Sequence, residues 1–125
     1  MDDIRSYRDL QAWQRAMDWV TRVYKCARNL PDHERYGLTS QLQRAAVSVP
    51  ANIAEGHARD GTGEFLRHLS FSQGSLAEVQ TLLAITVNLG HFAEQAVVEL
   101  VRESDEIGRM IRGLQRSLNR RRDKR

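Results

Sequence analysis

The sequence predicts an all-α fold, an up-and-down antiparallel four-helix bundle, on three observations. Apolar residues recur at steps of three and four over long stretches. The 2 prolines and 8 glycines punctuate the chain into four long segments. No alternating apolar and polar run of the kind a strand requires lies between them. With 125 residues, 41% of them hydrophobic and 28% charged, the chain is long enough for one domain with a continuous core. We assign residues 1–119 to the bundle and 120–125 to a basic C-terminal tail.

Helix 1 is expected from Arg8 to about Asn29, stopped by Pro31. It carries two apolar stripes. One is Leu10, Trp13, Met17, Val20, Tyr24 and Ala27; the other is Ala12, Ala16, Trp19, Val23, Cys26 and Leu30. Together they cover an arc of about 200°, twice what a surface helix needs. A monomer is expected to leave one stripe in water, so the arc predicts an oligomer with Trp13, Trp19 and Val23 at the contact. The rival reading makes helix 1 the central helix of the bundle.

Helix 2 starts near Leu38 and Thr39 and ends at the turn RDGTG, 59–63. Its middle contains Pro50, which has no N–H for the carbonyl of Ala46 and whose ring presses on it, at a cost of about 3 kcal/mol in a helix interior. A bend near Pro50 is the expected outcome, with Ser48, Asn52 or water meeting the freed carbonyl. The alternative is a helix that ends at Ser48 and restarts with Pro50 in its first turn. Arg44, Asn52 and Glu55 share the polar side of this bend and are expected to form a structural cluster that bonds the backbone; contact with a partner is the competing role.

Helix 3 extends from Thr62, read as its N-cap, to Asn88, with Gly90 as the stop. Its seam is Phe65, Leu69, Leu76, Val79, Leu83 and Val87. Gly74 costs about 0.5–1 kcal/mol in mid-helix, which close packing is expected to offset. Helix 4 covers about Phe92 to Asn119, with Val97, Leu100, Ser104, Ile107, Ile111, Leu114 and Leu118 drawing one apolar seam.

Charge is the main functional signal. Net charge is +3, yet residues 109–125 hold 8 Arg or Lys against the single acid Asp123. Arg109, Arg112, Arg116 and Arg120 line one face of helix 4 opposite the seam, and Arg121 and Arg122 follow. Such a row suits phosphates. The competing reading is a solvated face whose cations favour the helix C-terminus by about 0.3–1 kcal/mol each. That face carries no aromatic residue, so base stacking is not supported.

Enzyme chemistry finds no foothold. There is no nucleophile arrangement and no glycine-rich phosphate loop. A bundle metal site needs inward Glu-x-x-His pairs on two helices, and none occurs, so neither metal nor other cofactor is expected. The lone Cys26 excludes an intramolecular disulfide and is expected to be buried and inert. The start MDDIRSYRDL lacks the apolar core of a signal peptide and no apolar run is long enough to span a bilayer. A cytoplasmic protein with no membrane role is the expectation.

The run GLTSQLQRAAVSVPANIAEGHAR, 37–59, with LQAWQRAMDWVTRVYKCARNLPDHERYGL before it and FLRHLSFSQGSLAEVQTLL after it, resembles the family of small four-helix bundle proteins encoded in intervening sequences of 23S ribosomal RNA. The resemblance covers about residues 8–83; it departs at Gln43, where the family usually shows a second basic residue, and past Leu118. It implies a four-helix bundle, association into a homopentameric ring and no enzymatic activity. A relative, the accessory variability determinant of diversity-generating retroelements, implies nucleic-acid binding. The sequence therefore predicts a non-enzymatic oligomer that binds RNA or DNA through helix 4 and the tail, with a structural or adaptor protein that binds another protein as the alternative.

Overall fold

The computed structural model describes residues 6–123; the last two residues of the basic tail lie outside them. A 3-10 turn at Tyr7–Asp9 leads into α1 (Gln11–Ala27), and a second 3-10 turn at Asp32–Glu34 leads into α2 (Leu38–Ala58). Two long helices follow, α3 (Thr62–Asn88) and α4 (Glu94–Asp123). Each helix packs against its neighbour in sequence, and α1 closes the square against α4. None of the helices is long and apolar enough to cross a membrane among the described residues.

Local chemistry explains the boundaries. Ser6 and Asp9 form a reciprocal capping box around the first turn. Leu10 is then extended, with ψ 125°, so the expected first helix is divided into a turn and a shorter α1. Helix 3 begins where the sequence places it, but Gly61 at φ 96° is the cap residue and Thr62 the first helical one. At the far end of α3, Gly90 takes φ 77° and donates to the Val87 carbonyl, while the N–H of His91 donates to that of Thr86. This is a Schellman closure, which needs a residue tolerant of positive φ after the helix. Helix 4 starts two residues later than expected and carries the tail onward as helix through Arg122.

The core follows the predicted seams. Leu69, Leu76, Val79 and Leu83 of α3 are buried against Val97, Leu100, Ile107, Ile111 and Leu118 of α4, with Leu42, Ala45, Ala46, Val49 and Ile53 of α2. From α1 come Ala12, Ala16, Trp19, Val20, Val23 and Ala27. Both of its apolar stripes supply buried residues, since α1 lies between α2 and α4. Trp19 and Val23 are fully buried (0% exposed), and the indole N–H of Trp19 donates to the Leu100 carbonyl at 2.9 Å. The expectation that they form an oligomer contact is thereby corrected: they are core residues of the single chain. Trp13 is half-buried and meets the ring of Tyr7 edge-on at 5.3 Å.

Helix 2 runs unbroken through Pro50, which is buried, so the helix neither ends at Ser48 nor restarts. Polar side chains of α3 reach across to this stretch. Ser72 donates to the Val49 carbonyl at 2.8 Å and Ser75 to the Ser48 hydroxyl at 2.9 Å. Asn52 donates back to the Ser48 carbonyl at 2.9 Å. The side-chain donors thus serve Ser48 and Val49 rather than Ala46, the carbonyl that the missing proline N–H was expected to free.

Gly74 differs from expectation. A Cβ there meets nothing within 4 Å, so no close packing offsets its flexibility. Gly74→Ala is expected to stabilise the bundle by about 0.5–1 kcal/mol, read as a higher urea midpoint.

Candidate functional site

Charge changes sign along α4. Its first half carries Glu94, Glu99, Glu103, Asp105 and Glu106, and Arg102 within it pairs with Glu99 at 2.7 Å and with Glu106. From α1, Arg15 reaches Glu106 and Arg22 reaches Glu103. The bond to Glu103 raises the pKa of Arg22 above its ordinary value, and the Arg102 and Arg15 guanidiniums hold Glu99 and Glu106 below theirs. Glu99, Glu103 and Glu106 are thus paired in place.

Beyond Glu106 the pattern stops. Arg109, Arg112, Arg116, Arg120, Arg121 and Arg122 are all exposed, and among the described residues none is within ion-pair distance of a carboxylate or placed over an aromatic ring, although Arg109 adds a longer-range attraction to Glu106. Elsewhere Arg59 pairs with Glu55 at 2.9 Å and Arg67 with Glu64 at 3.7 Å. From Arg109 to Arg120 the row runs about 16 Å along the helix. It points away from Ile107, Ile111 and Leu118, which are buried, as the spacing predicts.

The structure does not bring Arg44, Asn52 and Glu55 together. Glu55 is committed to Arg59, and Arg44 is exposed beside Tyr24, Ser40 and Val47. Asn52 alone joins a polar network: besides its bonds to Ser48, its Oδ1 lies 3.0 Å from Nδ1 of His68. The predicted cluster is corrected to Ser48, Asn52, His68, Ser72 and Ser75, three of which come from α3 and are not revealed by the spacing within α2. Cys26 is half-buried, and burial pushes its thiol pKa up, which disfavours the reactive thiolate.

One grouping has no sequence counterpart in the spacing argument. Nε2 of His91 lies 3.0 Å from Oε2 of Glu34, and Nε2 of His33 lies 3.9 Å from the same oxygen. The two imidazole rings meet edge-on at 5.7 Å. Hydrogen bonding to His91 holds the Glu34 carboxyl below the usual range. These residues sit in the turn before α2 and just after α3, where no helical period connects them.

A model of the 23S rRNA-intervening sequence protein family matches residues 8–113. No functionally curated protein matches the chain. A crystal structure of a protein with unknown function from the S23 ribosomal protein family of Bacteroides thetaiotaomicron VPI-5482 is similar, with a TM-score of 0.74 and 17% sequence identity. The match covers 83% of this chain and 97% of that one; at this identity the likeness speaks to the fold.

Proposed function

The chain belongs to the 23S rRNA-intervening sequence protein family, and from that premise we propose that it is a non-enzymatic module that binds the phosphate backbone of RNA or DNA through α4. One observation carries the reading. The six arginines from Arg109 to Arg122 are exposed and none is within ion-pair distance of a carboxylate among the described residues, Arg109 feeling Glu106 only at longer range, whereas Arg15, Arg22, Arg59, Arg67 and Arg102 are paired, Arg8, Arg28 and Arg35 lie over tyrosine rings, and Arg44 stands alone on α2. A solvated face that only complements the helix end needs cations in its last turn. This row begins at Arg109, more than three turns before the helix ends at Asp123, and so extends beyond what the helix terminus rewards.

Self-association belongs to the same proposal, as a homo-oligomer and in the ring of five that the family resemblance implies. With Trp19 and Val23 in the core, the apolar surface available on this side is Met17 (40% exposed), Tyr24 (38%) and Val47 (46%). Met17 and Tyr24 stand two turns apart on α1, and Tyr24 and Val47 line one shallow groove. The same strip favours the second reading, an adaptor that binds another protein. Light scattering behind a sizing column separates the two: Met17→Ser with Tyr24→Ser turns an oligomer into monomers only if copies of this chain meet there.

The binding test is salt dependence. Mixed-sequence duplex DNA and single-stranded RNA, each labelled with a fluorophore, should bind the protein at low salt and leave it as salt rises. Alanine at Arg109, Arg112 and Arg116 together should weaken binding by about tenfold and lower the duplex salt slope by about 2.7, the contribution of three phosphate contacts. Exposed side chains are being removed, so helix content should not change. Unchanged affinity and slope in the triple variant would overturn the assignment of the site.

A further inference from the structure

The grouping of His33, Glu34 and His91 is fixed from two independent directions. On one side, the Schellman closure of α3 sets the backbone of His91: its N–H is tied to the Thr86 carbonyl at 2.9 Å, one residue after Gly90 at φ 77°. On the other, Pro31 opens the 3-10 turn at Asp32–Glu34, and the Glu34 carbonyl accepts from the N–H of Gly37 at 2.9 Å. The Glu34 carboxylate is further oriented through Oε1, which accepts from the N–H of Leu38 at 3.4 Å and lies where a Cβ on Gly37 would come within 3.0 Å. That leaves Oε2 facing both imidazoles.

We propose that His33, Glu34 and His91 are a three-ligand site for Zn2+ or a similar borderline transition-metal ion, with water in the fourth position. The ligand atoms all lie within 4.8 Å of one another. The separations from Oε2, 3.0 Å to His91 and 3.9 Å to His33, bracket the edge of about 3.4 Å in a tetrahedron of 2.0–2.1 Å bonds. Two imidazoles and one carboxylate are a donor set for zinc rather than for calcium or magnesium, which take oxygen ligands. The side chains of Glu34 and His91 are mostly covered (18% and 14% exposed) while His33 is 72% exposed. The covered pair is the fixed half of the site and the exposed imidazole is free to swing onto the ion. The bond from the Leu38 N–H to the other carboxylate oxygen supplies the outer contact that orients a metal ligand. An ion held here ties the α1–α2 connection to the α3–α4 connection and closes one end of the bundle.

Untagged protein freed of metal by a chelator should bind one Zn2+ per chain in a calorimetric titration, and its unfolding temperature should rise with Zn2+ but not with Mg2+. Co2+ should give the visible absorption of a tetrahedral site. His91 also bonds Glu34 directly, so His91→Ala risks loosening the fold; His33→Ala removes an exposed ring and does not. His33→Ala should lower Zn2+ affinity at least about tenfold, given that loss of an outer-sphere partner alone costs 10–100-fold, while His57→Ala, at the opposite end of the bundle, should leave it unchanged. No Zn2+ uptake by the wild-type chain, or uptake unaffected by His33→Ala, would overturn the proposal.

Discussion

Trp19→Ala is expected to cost the bundle about 3–5 kcal/mol, the range for truncating a large aromatic in a packed core. Trp19 is fully enclosed in the single chain and its indole N–H bridges α1 to the Leu100 carbonyl of α4. Domains of this size hold only about 5–15 kcal/mol in total, so the variant should unfold at much lower urea. Trp19→Phe keeps a six-membered ring but loses the donor, about 0.5–1.5 kcal/mol, and the volume of the fused pyrrole, so its urea midpoint should fall between those of the wild type and Trp19→Ala. Urea titrations followed by far-ultraviolet circular dichroism measure both. A side chain at a contact between copies would behave differently: its loss would weaken association and leave the unfolding of the isolated chain unchanged. Running the titrations at two protein concentrations separates these outcomes.

Helix 1 shows how an apolar arc can be read correctly and assigned wrongly. Its two stripes are real, and Leu10, Val20 and Ala27 of one are buried along with Ala12, Ala16, Trp19 and Val23 of the other. A helix at the corner of a square bundle touches two neighbours, each of which buries its own stripe. The width of the arc alone therefore counts contacting surfaces without saying whether they belong to the same chain. Helix 4 posed no such ambiguity, because its single seam faces the core and the opposite side is almost wholly charged, with Val97, Leu100, Ser104, Ile107 and Ile111 buried as spaced.

The candidate sites divide along the same line. The arginine row lies on one helix, so its period alone places it away from the core. Asn52 was legible as a structural residue near Pro50, but its partner His68, and the Ser72 and Ser75 that bond Val49 and Ser48 beside it, belong to α3, and the register of one helix against another is set by packing rather than by spacing within either. Glu34 and His91 are 57 residues apart. They meet because a 3-10 turn and a glycine-closed helix end lie at the same end of the bundle, a fact that belongs to the topology. No spacing within a single helix therefore signals the group.

The second large effect is expected at Gly56, where that register is decided. A Cβ at this position lies 2.6 Å from the Cβ of His68 and 3.2 Å from the ring of Phe65, so α2 and α3 approach more closely than side chains on both allow. Helix propensity favours alanine over glycine by up to about 1 kcal/mol, which by itself predicts a gain. The steric term should win, because the obstructing atom is anchored to the α3 backbone and cannot rotate aside; relief requires the helices to separate. Overpacking of this kind costs about 1–3 kcal/mol, so Gly56→Ala should lose about 1–2 kcal/mol net and Gly56→Val, which adds further methyl groups, about 3 kcal/mol. Separation also pulls His68 from Asn52, their bond now spanning the interface at 3.0 Å. Gly74→Ala provides the opposing case on α3, with the same change in propensity and no neighbour to strike. If alanine stabilised the chain equally at both positions, the approach of α2 to α3 would not depend on Gly56; opposite signs in the two urea midpoints would show that the missing side chain is what lets the two helices meet.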